Sequence, residues 1–184
     1  PVKINNGYIN SFICAGYVKS GGNATSTSVT INNGYINSFI CAGYADSSGD
    51  AIGNLVTFNN GRTTEVGGGY GNNNAISNSI IVNGGTIVGF VYGGRATSGN
   101  ATSNSIIVNG GTIAGYVYGG GATNVNSNSI IVNAVDVVYD VYGGSATTGN
   151  ATSNAVTING GTGNRVIGGY THGNTATGNS VTID

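Results

Sequence analysis

Two cysteines, one histidine and a thin scatter of acids and bases are all that this chain offers for covalent or acid–base chemistry. Cys14 and Cys41 stand 27 residues apart in the same phrase, Phe-Ile-Cys-Ala-Gly-Tyr, at 12–17 and 39–44. Two thiols in that relation become strand neighbours if the phrase repeats in space. A Cα separation of about 4.8 Å then lies inside the range a disulfide accepts. Parallel neighbours keep their Cβ atoms farther apart than a disulfide prefers, so the residues leave a disulfide and two free thiols both open. The acids form no constellation: Asp46 and Asp50 fall in a loop, while Glu65, Asp136 and Asp140 are scattered. Glu65 and Arg95 are expected to share neither a column nor a cleft, and His172 sits in a Gly-rich turn. Hydrolysis or elimination on a polysaccharide needs several such groups on one face, so no enzyme is expected. One His without clustered carboxylates makes no metal ligand set, and no cofactor is implied.

What places these residues is a short phrase written eight times: an aliphatic, a variable residue, an apolar residue, then Asn or finally Asp. Its third member falls at 4, 31, 58, 82, 108, 132, 158 and 183, a spacing of 24–27 residues. Such a period signals a stack of similar units. Its middle position accepts Lys3 as well as Thr30 and Ile81 and so faces out; its neighbours face in. A second strand centres on the inward column Ile13, Ile40, Val66, Val91, Val117, Val141 and Val166. The preceding column holds Phe12, Phe39, Glu65, Phe90, Tyr116, Asp140 and Arg165, a mixture expected to face solvent. A third segment brings an inward small residue (Ala24, Ala51, Ala75, Ala101, Val125, Ala151, Ala176) and a second Asn column, Asn54, Asn78, Asn104, Asn128, Asn154 and Asn179. Three short strands per repeat predict an all-β, single-stranded parallel β-solenoid of about seven coils over 1–184, roughly 34 Å long at 4.8 Å per coil, with amide ladders along its corners.

Composition narrows the partners. Gly is 35 of 184 residues, 6% of residues are charged and the net charge is −1, which gives no basic footprint for nucleic acid. No apolar run approaches a membrane span. A start at Pro1 without Met, with no signal peptide, reads as a segment of a longer repeat protein. Its uncapped ends are covered by neighbouring coils or else self-associate into a filament.

The aromatic columns are the candidate contact surface. Phe12, Phe39, Phe90 and Tyr116 share one outward column, Tyr92, Tyr118 and Tyr142 another, and Tyr17, Tyr44, Tyr70 and Tyr170 recur just beyond. Such a stripe either binds carbohydrate or a protein of a host or neighbouring cell, or it packs on itself along the rod. Ice binding would need unbroken Thr rows. The Thr25, Thr102, Thr152, Thr177 row is interrupted by Ile52, Ile76 and Asn126, and the Thr30, Thr57, Thr157, Thr182 row by Ile81, Ile107 and Ile131. Three Asn-Ala-Thr triplets at Asn23, Asn100 and Asn150 match a glycosylation pattern, but repeats of this composition produce it by chance.

The phrases Asn-Gly-Gly-Thr-Ile-Val-Gly-Phe-Val-Tyr-Gly-Gly (83–94) and Ala-Thr-Ser-Gly-Asn-Ala-Thr-Ser-Asn (96–104), which recur over 109–128 and in altered form over 133–154, resemble the passenger repeats of bacterial type V autotransporters. The first two coils depart from that pattern with Phe-Ile-Cys-Ala-Gly-Tyr. The resemblance implies a right-handed β-helix, secreted or displayed on a Gram-negative cell, serving adhesion or aggregation. It carries no binding residues across, because the matching motif is scaffold.

Overall fold

The repeated phrase forms a strand because its β-branched residues alternate inward and outward with period two. In the computed structural model, which describes residues 1–133 and 135–184, eight copies line up as one parallel sheet, from Val2–Ile4 to Ser180–Ile183. The register joins like to like: Val56 to Ile80 to Ile106 to Ile130 to Val156. All of these are buried, while the intervening Thr57, Ile81, Ile107, Ile131 and Thr157 are half-exposed. A seven-stranded sheet of very short strands runs from Ala24–Thr25 to Ala176–Thr177, and a ten-stranded sheet carries the aromatic residues. All strand pairings among the described residues are parallel, so the chain is a β-solenoid of about seven turns.

The aromatic sheet holds an inward column that the repeat phrase does not announce. Ile9, Ile36, Thr63, Ile87, Ile113 and Val137 are in register, and all but the first are buried. The first six coils therefore have four inward segments rather than the three expected, and Gly163 stands at this position in the seventh. In coils two and three the extra segment fuses with the next, giving the strands Tyr35–Ala45 and Arg62–Gly71. Thr63 takes its place in this apolar column because its hydroxyl donates to the Ser38 carbonyl at 2.9 Å.

Two devices fix the corners. The first is the buried Asn column. Asn104 Nδ2 donates to Asn128 Oδ1 at 2.9 Å and to the Ala75 carbonyl at 2.9 Å, while its Oδ1 accepts from both Asn78 N and Asn78 Nδ2 at 3.0 Å. The same pattern runs from Asn54 to Asn179, and Thr27 Oγ1, 2.7 Å from Asn54 Oδ1, takes the place of Asn in the first coil. Room for these amides is left by glycines: a Cβ on Gly43, Gly69, Gly94, Gly120, Gly144 or Gly169 would collide with the Asn opposite. Among the described residues, every buried side-chain nitrogen and oxygen has a partner. The second device is a turn residue with φ near +55°, which is Ser at 26, 77, 103, 127 and 153 and Gly at 53 and 178. That left-handed conformation is costly for any residue with a Cβ.

Candidate functional site: the aromatic face

Every aromatic residue except the core residue Phe58 lies in or beside the strands of one sheet. Register makes three parallel outward columns there. The first contains Phe12, Phe39 and Glu65, and continues through Phe90 and Tyr116. The second is Cys14, Cys41, Gly67, Tyr92, Tyr118, Tyr142 and Ile167. The third is Tyr17, Tyr44, Tyr70, Arg95, Gly121, Ser145 and Tyr170.

A parallel register stacks identical side chains face to face. Tyr92, Tyr118 and Tyr142 have ring centroids 5.0 and 5.1 Å apart with planes within 9°. Tyr70 and Tyr170 close the two ends of this ladder edge-on, at 6.3 and 5.8 Å. Phe12 stacks on Phe39 and Phe90 on Tyr116, and Tyr139 continues the second of these pairs at 5.0 Å from Tyr116. Each such pair contributes about 0.5–1.5 kcal/mol beyond its burial. Ring faces inside a ladder are thus occupied by neighbours, so the ladder turns ring edges outward. Burial, reinforced by Tyr92 and Tyr142, pushes the Tyr118 hydroxyl up to about 12, so that phenol remains a neutral donor.

The sheet face differs from expectation at four places. Asp140, in a column whose mixed residue types predict solvent exposure, is 2% exposed. Its Oδ2 accepts from Arg165 Nη2 at 2.5 Å, Arg165 Nε at 3.0 Å and the Tyr142 hydroxyl at 3.0 Å, and its Oδ1 from Asn164 at 3.1 Å. A carboxylate so supplied with donors can be buried, and the Arg165 guanidinium holds its carboxyl below the usual range against the opposing effect of burial. Tyr142, whose hydroxyl belongs to this network, is buried rather than exposed. Tyr139 carries the ring that the first column lacks at this coil, a role the strand period did not suggest. Finally, Glu65 and Arg95 do meet at one cavity of about 310 Å³, together with Phe39, Tyr44, Asp46 and Tyr70.

Cys14 and Cys41 are paired in register as unlinked thiols, with Sγ atoms 2.7 Å apart. Both occupy the outward column, yet Cys41 is wholly covered because the Tyr70 ring folds across the adjoining Gly67. The S–H of Cys41 donates to Cys14 and lowers the Cys14 thiol pKa; the same pairing, with burial, raises that of Cys41. His172 is exposed and meets Tyr170 edge-on at 4.9 Å. Two further cavities of about 320 and 310 Å³ continue the first along the face, past Tyr118 and on to Tyr170 and His172. On the other sheets the interrupted Thr rows lie in the expected columns, with Ile52, Ile76 and Asn126 in register between Thr25 and Thr177. Asn100 and Asn150, from the Asn-Ala-Thr triplets, belong to an outer amide ladder with Asn74 and Asn124. Among the described residues no group of three or more His, Cys, Asp or Glu could hold a metal ion, and no helix is long and apolar enough to cross a membrane.

The chain matches no protein-family model, no curated protein and no solved structure. It is a β-solenoid repeat protein, compatible with an autotransporter passenger in fold. The resemblance to that family rests on the repeat residues.

Proposed function

We propose that the chain is a non-catalytic structural and adhesive repeat protein, secreted or displayed on a Gram-negative cell, that makes contact through its aromatic face. The observation that carries this reading is the segregation of its aromatic residues. Core packing accounts for Phe58 alone, whereas Phe12, Phe90 and Tyr139 are 46%, 39% and 46% exposed along one side of the rod. Stacked ring edges with phenol hydroxyls make a flat surface, apolar between rows and able to donate hydrogen bonds along them, which suits glycans and protein surfaces alike. A non-catalytic role is supported by the state of the charged groups on this face. Glu65 accepts from Tyr70, Arg95 lies over the Tyr92 ring at 5.3 Å, and Asp140 is locked to Arg165.

Fluorescently labelled protein tested on Gram-negative cells and on a glycan array examines this directly. Replacement of Phe90, Tyr116 and Tyr139 by Ser removes exposed rings without touching the inward columns. Cell binding should fall at least tenfold while the β-sheet circular dichroism is retained; unchanged binding refutes the reading. Sedimentation of the same sample separates adhesion from self-association into filaments, which would appear as concentration-dependent growth.

A further inference from the structure

The third outward column is interrupted in a way that the other two are not. Tyr17 and Tyr44 stack at 5.2 Å and 18°, and Tyr70 is next in register. Tyr70 does not continue the stack. Its ring lies across Gly67, in space that any Cβ there would need, its hydroxyl donates to Glu65, and its edges meet Phe39 and Tyr92. Tyr44 therefore meets Tyr70 only at a tilt of 34°. Beyond it the column stays open as far as Arg95, and this opening is the 310 Å³ cavity.

We propose that this opening is a binding slot for a neutral pyranose, an inference that rests on the adhesive reading of the face and assigns it a ligand class. Two coil steps separate the Tyr44 and Arg95 backbones, about 9.6 Å at 4.8 Å each. The opening sets the Tyr44 ring beside a polar rim, the pairing that a sugar ring with one C–H face and several hydroxyls can use. Its C–H face lies against the Tyr44 ring and its hydroxyls point at the polar rim. That rim offers both kinds of partner. Asp46 Oδ1 accepts from the Ser47 N–H and Glu65 Oε1 from Tyr70, which leaves the other oxygen of each carboxylate to accept from a sugar hydroxyl. Arg95, Asn72 and Thr97 supply donors. Arg95 forms no salt bridge among the described residues and is held in place over Tyr92. Two carboxylates against one guanidinium disfavour an acidic sugar. The cavity is at the small end of the range for ligand sites, which suits one sugar ring of a longer glycan.

The test is titration of the whole chain with methyl glycosides of glucose, galactose, mannose and N-acetylglucosamine, followed by saturation-transfer NMR and by the ring resonances of Tyr44. At least one should bind with a dissociation constant on the order of 1 mM, as a small open site allows. Gly67→Ala should push the Tyr70 ring back into its own column, fill the slot and weaken that binding at least tenfold. Tyr44→Ala should do the same by removing the wall. Ser145→Ala, two positions along the column, should change nothing. The slot is overturned if the wild-type chain binds none of the four, or if Gly67→Ala and Tyr44→Ala bind as well as wild type. Cell binding by the Phe90, Tyr116, Tyr139 variant decides the adhesive reading separately, so failure of the slot and failure of that reading are told apart.

Discussion

Replacing Asn104 by Ala removes one rung from the middle of the buried amide ladder, and its cost can be worked from the bonds lost. The side chain makes two donations, to Ala75 O and Asn128 Oδ1, and accepts two, from Asn78 N and Asn78 Nδ2. Asn128 Oδ1 keeps the Asn104 backbone N–H at 3.0 Å and the Ala75 carbonyl keeps its place in the parallel ladder, so two buried donors are stranded: Asn78 N–H and one Asn78 Nδ2–H. At roughly 1–3 kcal/mol for each unsatisfied group, the loss is at least about 2 kcal/mol. The internal control is Asn109→Ala, one phrase further on, in the exposed ladder. Asn109 Nδ2 donates to Asn83 Oδ1 and its Oδ1 accepts from Asn133 Nδ2, both at 2.9 Å. Water replaces those bonds, so the expected loss is at most about 1 kcal/mol. Equilibrium urea unfolding followed by far-ultraviolet circular dichroism compares the two. Equal destabilisation by both variants, or a loss below about 1 kcal/mol for Asn104→Ala, would refute the argument that burial distinguishes the ladders.

Three further outcomes follow from the same geometry. Ser103→Gly removes the Cβ from a residue at φ 56° where coils two and seven already use Gly; it should stabilise by about 0.5–1 kcal/mol, read as a rise in melting temperature. Arg165→Met leaves Asp140 buried without its guanidinium. The folded pKa of Asp140 lies below its unfolded value, so its ionised form stabilises the fold above about pH 4 and that contribution is lost as pH falls through the folded value. The variant should therefore be less stable than wild type at neutral pH, and the gap should close on acidification; a gap independent of pH would contradict this. Iodoacetamide should modify Cys14 in the native chain and leave Cys41 untouched, with reactivity appearing at a pH below that of an ordinary thiol, as mass spectrometry of the tryptic peptides would show.

The period made the stacked architecture legible because β-branched columns can only be in register if the coils are. Asn54 to Asn179 could be read as a ladder for the same reason. Two features were hidden by single-residue departures from the repeat. Ile36, Ile87 and Ile113 line an inward column, but Thr63 interrupts its apolar pattern, and only the bond to Ser38 explains that Thr. Asp140 looked exposed because the residues around it in its column include Glu65 and Arg165; that Arg165 reaches back to it from the next coil is a matter of side-chain geometry, which a column of residue types does not contain. The cavity is not legible in the repeat because it depends on an absence. Gly67 was simply one glycine among many, and nothing in the repeat says that a tyrosine three residues later folds over it. The aromatic columns were visible, but not that their rings would cover one another's faces.

The most direct test of the account is hydroxyl-radical footprinting of the chain free and bound to Gram-negative cells. If the aromatic sheet is the contact face, protection should concentrate on Phe90, Tyr116, Tyr118 and Tyr139, while Leu55, Ile81 and Ile107 on the Asn-bearing sheet react as in the free protein. Protection of that sheet instead, or of both equally, would contradict it.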